Sequence, residues 1–245
     1  MASVSPQIVD PEVTSVLLTS TVKYEAASTT KSTDTLKSEI TTAVTNYNTN
    51  TLQKFDAVYR HSKLTGIIDD VDTSILSNIT TIKIRKSFTP TLLSSNKYDI
   101  YFRNALFNPH SGHNSTAGGI LSSTGFKIDG NDNEMFLDDD GSGNVRLYYL
   151  ASGIRTYVNS TQGTISYSSG QITLNSLNVA SISNIRGSTS TVVELTVTPN
   201  SNDVVPVRDQ IVELDIANST ITVTADTFVG GSADAGVGYT TTSSY

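Results

Sequence analysis

The sequence predicts an α+β protein: a small N-terminal strand-helix-helix-strand unit, then a mainly antiparallel β domain built as a sandwich or open barrel. Three observations carry this. Apolar residues recur with a helical period in two stretches before residue 72, and with a period of 2 almost everywhere after residue 88. Hydrophobic residues make up 37% of the 245-residue chain and charged ones only 16%, with Ser and Thr filling the gap; Thr suits strands and Ser suits turns. Asp-Gly and Gly-Asn pairs recur between the alternating segments, where tight turns need a positive φ.

The elements follow in order. "VTSVLLTSTVKYEA" (13–26) is rich in β-branched residues and reads as a strand. A helix follows with Asp34 as its expected N-cap, and Leu36, Ile40, Ala43, Val44 and Tyr47 share one face. "TLQKFDAVYR" (51–60) reads as a turn or short strand. A second helix opens near His61 and carries Leu64, Ile67, Ile68 and Val71 as its stripe. "ILSNITTIKIRKSF" (75–88) is a strand with Ile79, Ile82 and Ile84 expected inward, whose "KIRK" reads as a solvated face. The two strands should pair, with the helices covering one face.

"FTPTLLSSN" with Pro90 is a plausible boundary. Beyond it, "YDIYFRNALF", "GFKI", "EMFLDD", "NVRLYYLAS", "GIRTYV", "GTISYSSGQITLNSLNV", "VVELTVTP" and "QIVELDIANSTITVTA" read as strands. The turn signals between them are "DGND", "DGSGN", "STQG", "SSGQ" and "ANST". The expected organisation is 1–88 as the α+β unit, 89–229 as the β-rich domain, and 230–245 as a flexible tail with almost no large aliphatic side chains.

Charge and composition narrow the function. A net charge of −7 without a basic stripe argues against nucleic acid. The chain has no cysteine, hence no disulfide, thiolate metal site or thiol nucleophile. No stretch approaches the ~18 apolar residues of a membrane span, and the start lacks a signal-peptide pattern. An aqueous, intracellular-type setting is expected, so the sequons at Asn78, Asn114, Asn159 and Asn218 read as chance products of a Ser/Thr/Asn-rich chain.

"FKIDGNDNEMFLDDDGSGNV" (126–145) raises the question of a calcium loop. An EF-hand needs oxygen ligands at positions 1, 3 and 5, Gly at 6 and Glu at 12. Starting at Asp129, with Asn131 and Asn133, position 6 is Glu134 and position 12 is Asp140. Starting at Asp138, with Asp140 and Ser142, position 12 is Tyr149. Neither register closes, and the stretch reads as turns. His110 and His113 form H-S-G-H in a loop without a nearby carboxylate, and read as surface residues. Asp138, Asp139 and Asp140 are too close in sequence for a glycosidase pair, since neighbouring strand residues point to opposite faces. Tyr98, Tyr101, Tyr148 and Tyr149 read as cross-strand packing rather than a sugar platform. No G-x-S-x-G elbow occurs, and "GSADAGVG" has no helix after it to cradle a phosphate. No catalytic, cofactor or metal residue is expected. An acidic-turn module that binds a cation or carbohydrate is the alternative.

Several stretches together are similar to a known family. "VDPEVTSVLLTSTVKY", "YRHSKLTGIIDDVDTSIL", "FLDDDGSGNVRLYYL", "GTISYSSGQITL" and "TPNSNDVVPVRDQIVELD" resemble the C-terminal region of the baseplate wedge protein of T4-like tailed phages, over roughly residues 7–228. The α+β unit also resembles the broader baseplate J-like family. The resemblance implies a virion structural protein in the tail baseplate, assembled in the host cytoplasm, whose contacts form a ring and rearrange on sheath contraction. It implies partners: a second copy, as a homodimer, and other wedge proteins. It implies neither an enzyme nor a small-molecule substrate. In that family a longer N-terminal portion precedes this region, so the chain is expected to be a C-terminal piece.

Overall fold

The computed structural model describes residues 12–113, 118–207 and 210–226. The expected tail over 230–245 and the Asn114 sequon lie outside them. The strand-helix-helix-strand unit is present: β1 (Glu12–Tyr24), α1 (Thr33–Tyr47), α2 (His61–Asp69) and β2 (Ile75–Phe88). β1 and β2 pair antiparallel from Ser15↔Arg85 to Tyr24↔Ile75. Their inward face is Val16, Leu18, Val22, Ile82 and Ile84, all buried against Leu36, Ile40, Val44 and Tyr47 of α1 and Leu64 and Ile68 of α2. Ser20 and Thr80, opposite each other on that face, satisfy one another through a 2.8 Å hydrogen bond.

Three local expectations fail for identifiable reasons. Ser32, not Asp34, caps α1: its hydroxyl accepts from Thr35 N at 3.1 Å, and Asp34 sits in the first turn. Residues 51–60 take the turn alternative: a π-helical turn (Asn48–Leu52) carries the chain on from α1 into further turns, with a single bridge at Tyr59. Ile79 points outward at 71% exposure, since the inward residues of β2 are the even-numbered ones. "KIRK" is consequently only partly solvated. Lys86 lies inward, buried against the Glu12 carboxylate, and burial lowers its pKa. Arg85 binds the carboxylate of Asp215 and lies 3.4 Å from Glu194.

The rest of the chain supplies β3 (Ser95–Tyr101), β4 (Ser122–Ser123), β5 (Phe126–Ile128), β6 (Asn131–Asp139), β7 (Asn144–Ala151), β8 (Ile154–Ser166), β9 (Gln171–Ile182), β10 (Val193–Val197), β11 (Gln210–Leu214) and β12 (Thr220–Ala225). β5 through β9 form a closed ring of antiparallel pairings, β5-β6-β7-β8-β9 and back to β5, and β3 adds outside on β9. The barrel form of the expected β domain is the one realised, filled by Phe126, Met135, Leu137, Val145, Leu147, Ile165, Ile172, Leu174 and Val179. "STQG" is not a turn: β8 runs through it, and a Cβ on Gly163 would lie 2.1 Å from Thr173 O of β9. Gly163→Ala is therefore expected to cost about 1–3 kcal/mol by overpacking, read as a lower Tm; an unchanged Tm would show that β8 and β9 separate there freely.

β10, β11 and β12 leave the barrel and complete the sheet begun by β1 and β2. β10 pairs antiparallel with β2, and β4 with β10. β11 and β12 lie parallel to β1 along successive halves of it, Glu12↔Gln210 to Val16↔Leu214 and Thr19↔Thr220 to Tyr24↔Ala225. A loop before β11 docks on α2. Tyr59 and Val204 exchange backbone hydrogen bonds, and Asp203 accepts from His61 N at 2.9 Å and from Arg60 at 2.7 Å. These bonds, Arg60 first, hold the Asp203 carboxyl below its usual range. Its contribution is complete above the ordinary carboxylate pKa near ~4 and is lost as the pH falls below that value. Asp203→Asn is thus expected to speed amide exchange at His61 at neutral pH and to make little difference in acid. An equal effect at both would refute this anchor.

Candidate interaction surface

The acid-rich stretch is divided among three separate structural tasks. Asp140 closes the β6–β7 turn: its Oδ1 accepts from Ser142 N at 2.8 Å and Asn144 N at 3.0 Å, and its Oδ2 from Asn144 Nδ2 at 2.6 Å. Asp139 points into the barrel end and is fully buried. Its Oδ1 accepts from Ile120 N at 2.7 Å and Leu121 N at 2.8 Å, and its Oδ2 from the Tyr167 hydroxyl at 2.7 Å. The incoming loop comes so close that a Cβ on Gly119, at φ +69°, would lie 2.1 Å from Asp139 Oδ1. Burial, and then the bond to this carboxylate, push the Tyr167 phenol well above its ordinary value.

Asp138 faces the other way, out of the barrel, yet it is only 1% exposed. Arg146 Nε at 2.8 Å, Arg155 at 3.0 Å and the Tyr157 hydroxyl at 2.9 Å close over it. Burial pushes its carboxyl above the usual range, and the bonds from Arg146 and Tyr157 pull against that. Asp138 and Asp139 are thus buried on opposite faces of β6. The trio brings no two carboxylates together over a common pocket, and the acid-rich stretch serves as turns and anchors.

Around Asp138 the barrel's outer face carries a continuous aromatic and cationic patch. The register sets Phe136 opposite Tyr148, and Tyr148 opposite Tyr157. Ring centroids are 5.8 Å apart in both pairs. Arg146 lies 4.4 Å from the Tyr157 ring centroid and Arg155 4.9 Å from that of Tyr148. Leu150, exposed on β7 and paired with Arg155 across the β7–β8 hairpin, extends the patch. Tyr and Arg beside an exposed leucine is the composition of a protein-contact surface. It suits a sugar platform poorly, because the guanidiniums already stack on Tyr148 and Tyr157. Sequence reasoning weighed Tyr148 singly and missed its neighbours. The signal was present as F-x-D, R-x-Y and R-x-Y in three successive strands, and needed only the hairpin registers to align it.

The histidines stay apart from this patch. His110 and His113 are exposed with rings edge to face at 4.8 Å, and His113 also meets Phe107. His61 starts α2, with the Tyr59 hydroxyl 3.4 Å from its Nδ1. Tyr98 stacks on Phe88, and Tyr101 is exposed at the end of β3. Among the described residues no group of three or more His, Cys, Asp or Glu side chains is placed to hold a metal ion. No helix among them is long and apolar enough to cross a membrane.

Three strand edges bear on assembly. At β11 buried Asn48 caps the last residue of the edge: its side chain accepts from Leu214 N at 2.8 Å and donates to Leu214 O at 3.2 Å. At β3 the edge strand carries Lys97 and Asp99, the kind of charge that discourages strand addition. At β12 neither device is present: the strand TITVTA is uncharged.

Comparison with known families places one part of this architecture. Residues 13–87 match the family model of baseplate structural protein gp6, C-terminal domain III. The matched segment is the β1-α1-α2-β2 unit almost to the residue. The match supports the C-terminal region of a phage baseplate wedge protein, a structural role in the virion tail and contact with other baseplate proteins. A search of curated proteins gives no match.

Proposed function

We propose that this chain is a virion structural protein, the C-terminal part of a T4-like, baseplate J-like wedge subunit. It acts through homotypic and heterotypic contacts that build a baseplate ring and shift when the sheath contracts, and it is assembled in the host cytoplasm. The carrying observation is the coincidence of the gp6 domain III match with a complete structural unit, β1 through β2. The Tyr157, Arg155 and Leu150 surface supplies contact chemistry. We also propose that it is not an enzyme, because Asp138, Asp139 and Asp140 are each engaged by structural donors.

In this reading residues 1–88 correspond to the family's module and 89–229 to a β-rich extension, which lends β10, β11 and β12 to the module's sheet. Light scattering after size exclusion, over a concentration series, is expected to give a dimer that persists on dilution. A monomer at every concentration would overturn the homotypic part of the proposal.

A further inference from the structure

We propose that β12 is a self-pairing edge: two copies join by antiparallel pairing of their β12 strands about a two-fold axis at Thr222, so that one sheet runs through both. This rests on the homotypic reading above and names the surface that would carry it.

The first observation is that this edge is open. Among the described residues β12 pairs with β1 alone. Asp226 N donates to Tyr24 O. Counting back by the strand period of two, the outward N–H and C=O groups belong to Ile221, Val223 and Ala225. Such groups are a template for another strand. On the neighbouring β11 edge Asn48 takes up the backbone groups of Leu214.

The second observation is the strand's own symmetry. Thr220, Ile221, Thr222, Val223 and Thr224 read nearly the same in both directions about Thr222. Antiparallel self-pairing there sets Ile221 against the partner's Val223 in a hydrogen-bonded pair, and the two-fold repeats it. Thr222 meets its own counterpart in the intervening non-bonded pair, where side chains lie closest. The inward residues Ile221 and Val223 are already buried, at 7% and 5% exposure. The outward ones extend a threonine face formed by Thr19, Thr21, Thr81, Thr220 and Thr222.

The symmetry of the strand about Thr222 favours a second copy as the occupant. Two chains of net charge −7 repel, and an uncharged strand is where they can approach. A groove of about 350 Å³ between α1 and β12 leaves room beside the edge. Its charged lining residue is Lys37, beside Ser219 and Thr220.

The test is a charge exchange at Thr222, an exposed site where substitution leaves the core intact. Wild-type chain, Thr222→Lys, Thr222→Glu and an equimolar mixture of the variants are compared by light scattering after size exclusion, with melting curves confirming the fold. The wild type is expected to be a dimer. Each variant alone places like charges opposite each other across the axis and should weaken dimerisation by about ten-fold or more. The mixture should restore the dimer. If the wild type is a dimer and both variants dimerise equally well, the β12 surface is overturned while the homotypic reading stands. A mixture that stays monomeric overturns the axis at Thr222. A monomeric wild type at every concentration overturns both readings.

Discussion

Asp139→Ala is expected to be among the most damaging single substitutions in the chain, at a cost on the order of 3–5 kcal/mol. The carboxylate is fully buried and takes three donors: the backbone N–H groups of Ile120 and Leu121, and the Tyr167 hydroxyl. Truncation leaves all three without an acceptor at the barrel end, each facing a desolvation cost of about 1–3 kcal/mol. Relaxation of the loop recovers part of the sum. Against a typical total stability of about 5–15 kcal/mol, the loss would be visible as a large fall in the denaturant midpoint. Asp139→Asn keeps one acceptor oxygen and should fall between the two. If alanine and asparagine prove equally mild, water reaches the site and Asp139 is not an anchor.

A fragment of residues 1–88 is expected not to fold alone, although it contains the whole segment matched by the family model. In the intact chain β1 has β2 on one edge and β11 and β12 on the other, and β2 has β10 on its far edge. Cutting at 88 strips one edge from each strand. It also uncovers core residues that pack with Leu195, Val197, Val212, Leu214, Ile221 and Val223. Asn48 would lose its backbone partner at Leu214, and α2 would lose Asp203 at its start. Circular dichroism and amide dispersion should report a disordered chain. A cooperative thermal transition from this fragment would show that the helices and the β1–β2 pair suffice.

The helices and most strands were legible because their apolar residues repeat at the period of the element. Leu36, Ile40, Val44 and Tyr47 needed no partner to be recognised as one face. The errors arose where a neighbour distant in sequence decides. Ile79 and Ile82 are three apart, so an alternating strand cannot bury both, and Ile79 is the one left outside. Lys86 is inward because Glu12 meets it from β1. "STQG" has the composition of a turn, yet β9 holds it extended within β8. The contact patch was hidden for the same reason, since it exists only when β6, β7 and β8 are laid side by side in register. Local composition also could not show that β10, β11 and β12 return to the first sheet. Asp138 and Asp139 were legible as strand neighbours on opposite faces, but only the positions of Arg146, Arg155, Ile120 and Leu121 reveal both as buried.

The parallel pairing of β1 with β11 and β12 also has a meaning in time. Ser15 of β1 and Glu213 of β11 hydrogen-bond across a separation of 198 residues. While the chain is being made, one edge of β1 must wait until residues 210–225 have left the ribosome. Pairings this distant in sequence slow folding, and an unpaired strand edge is prone to aggregation while it waits. The barrel, closed within residues 126–182, is free to form first. The sheet that carries the matched unit would then mature after the barrel, although its first strand leaves the ribosome before any strand of the barrel does.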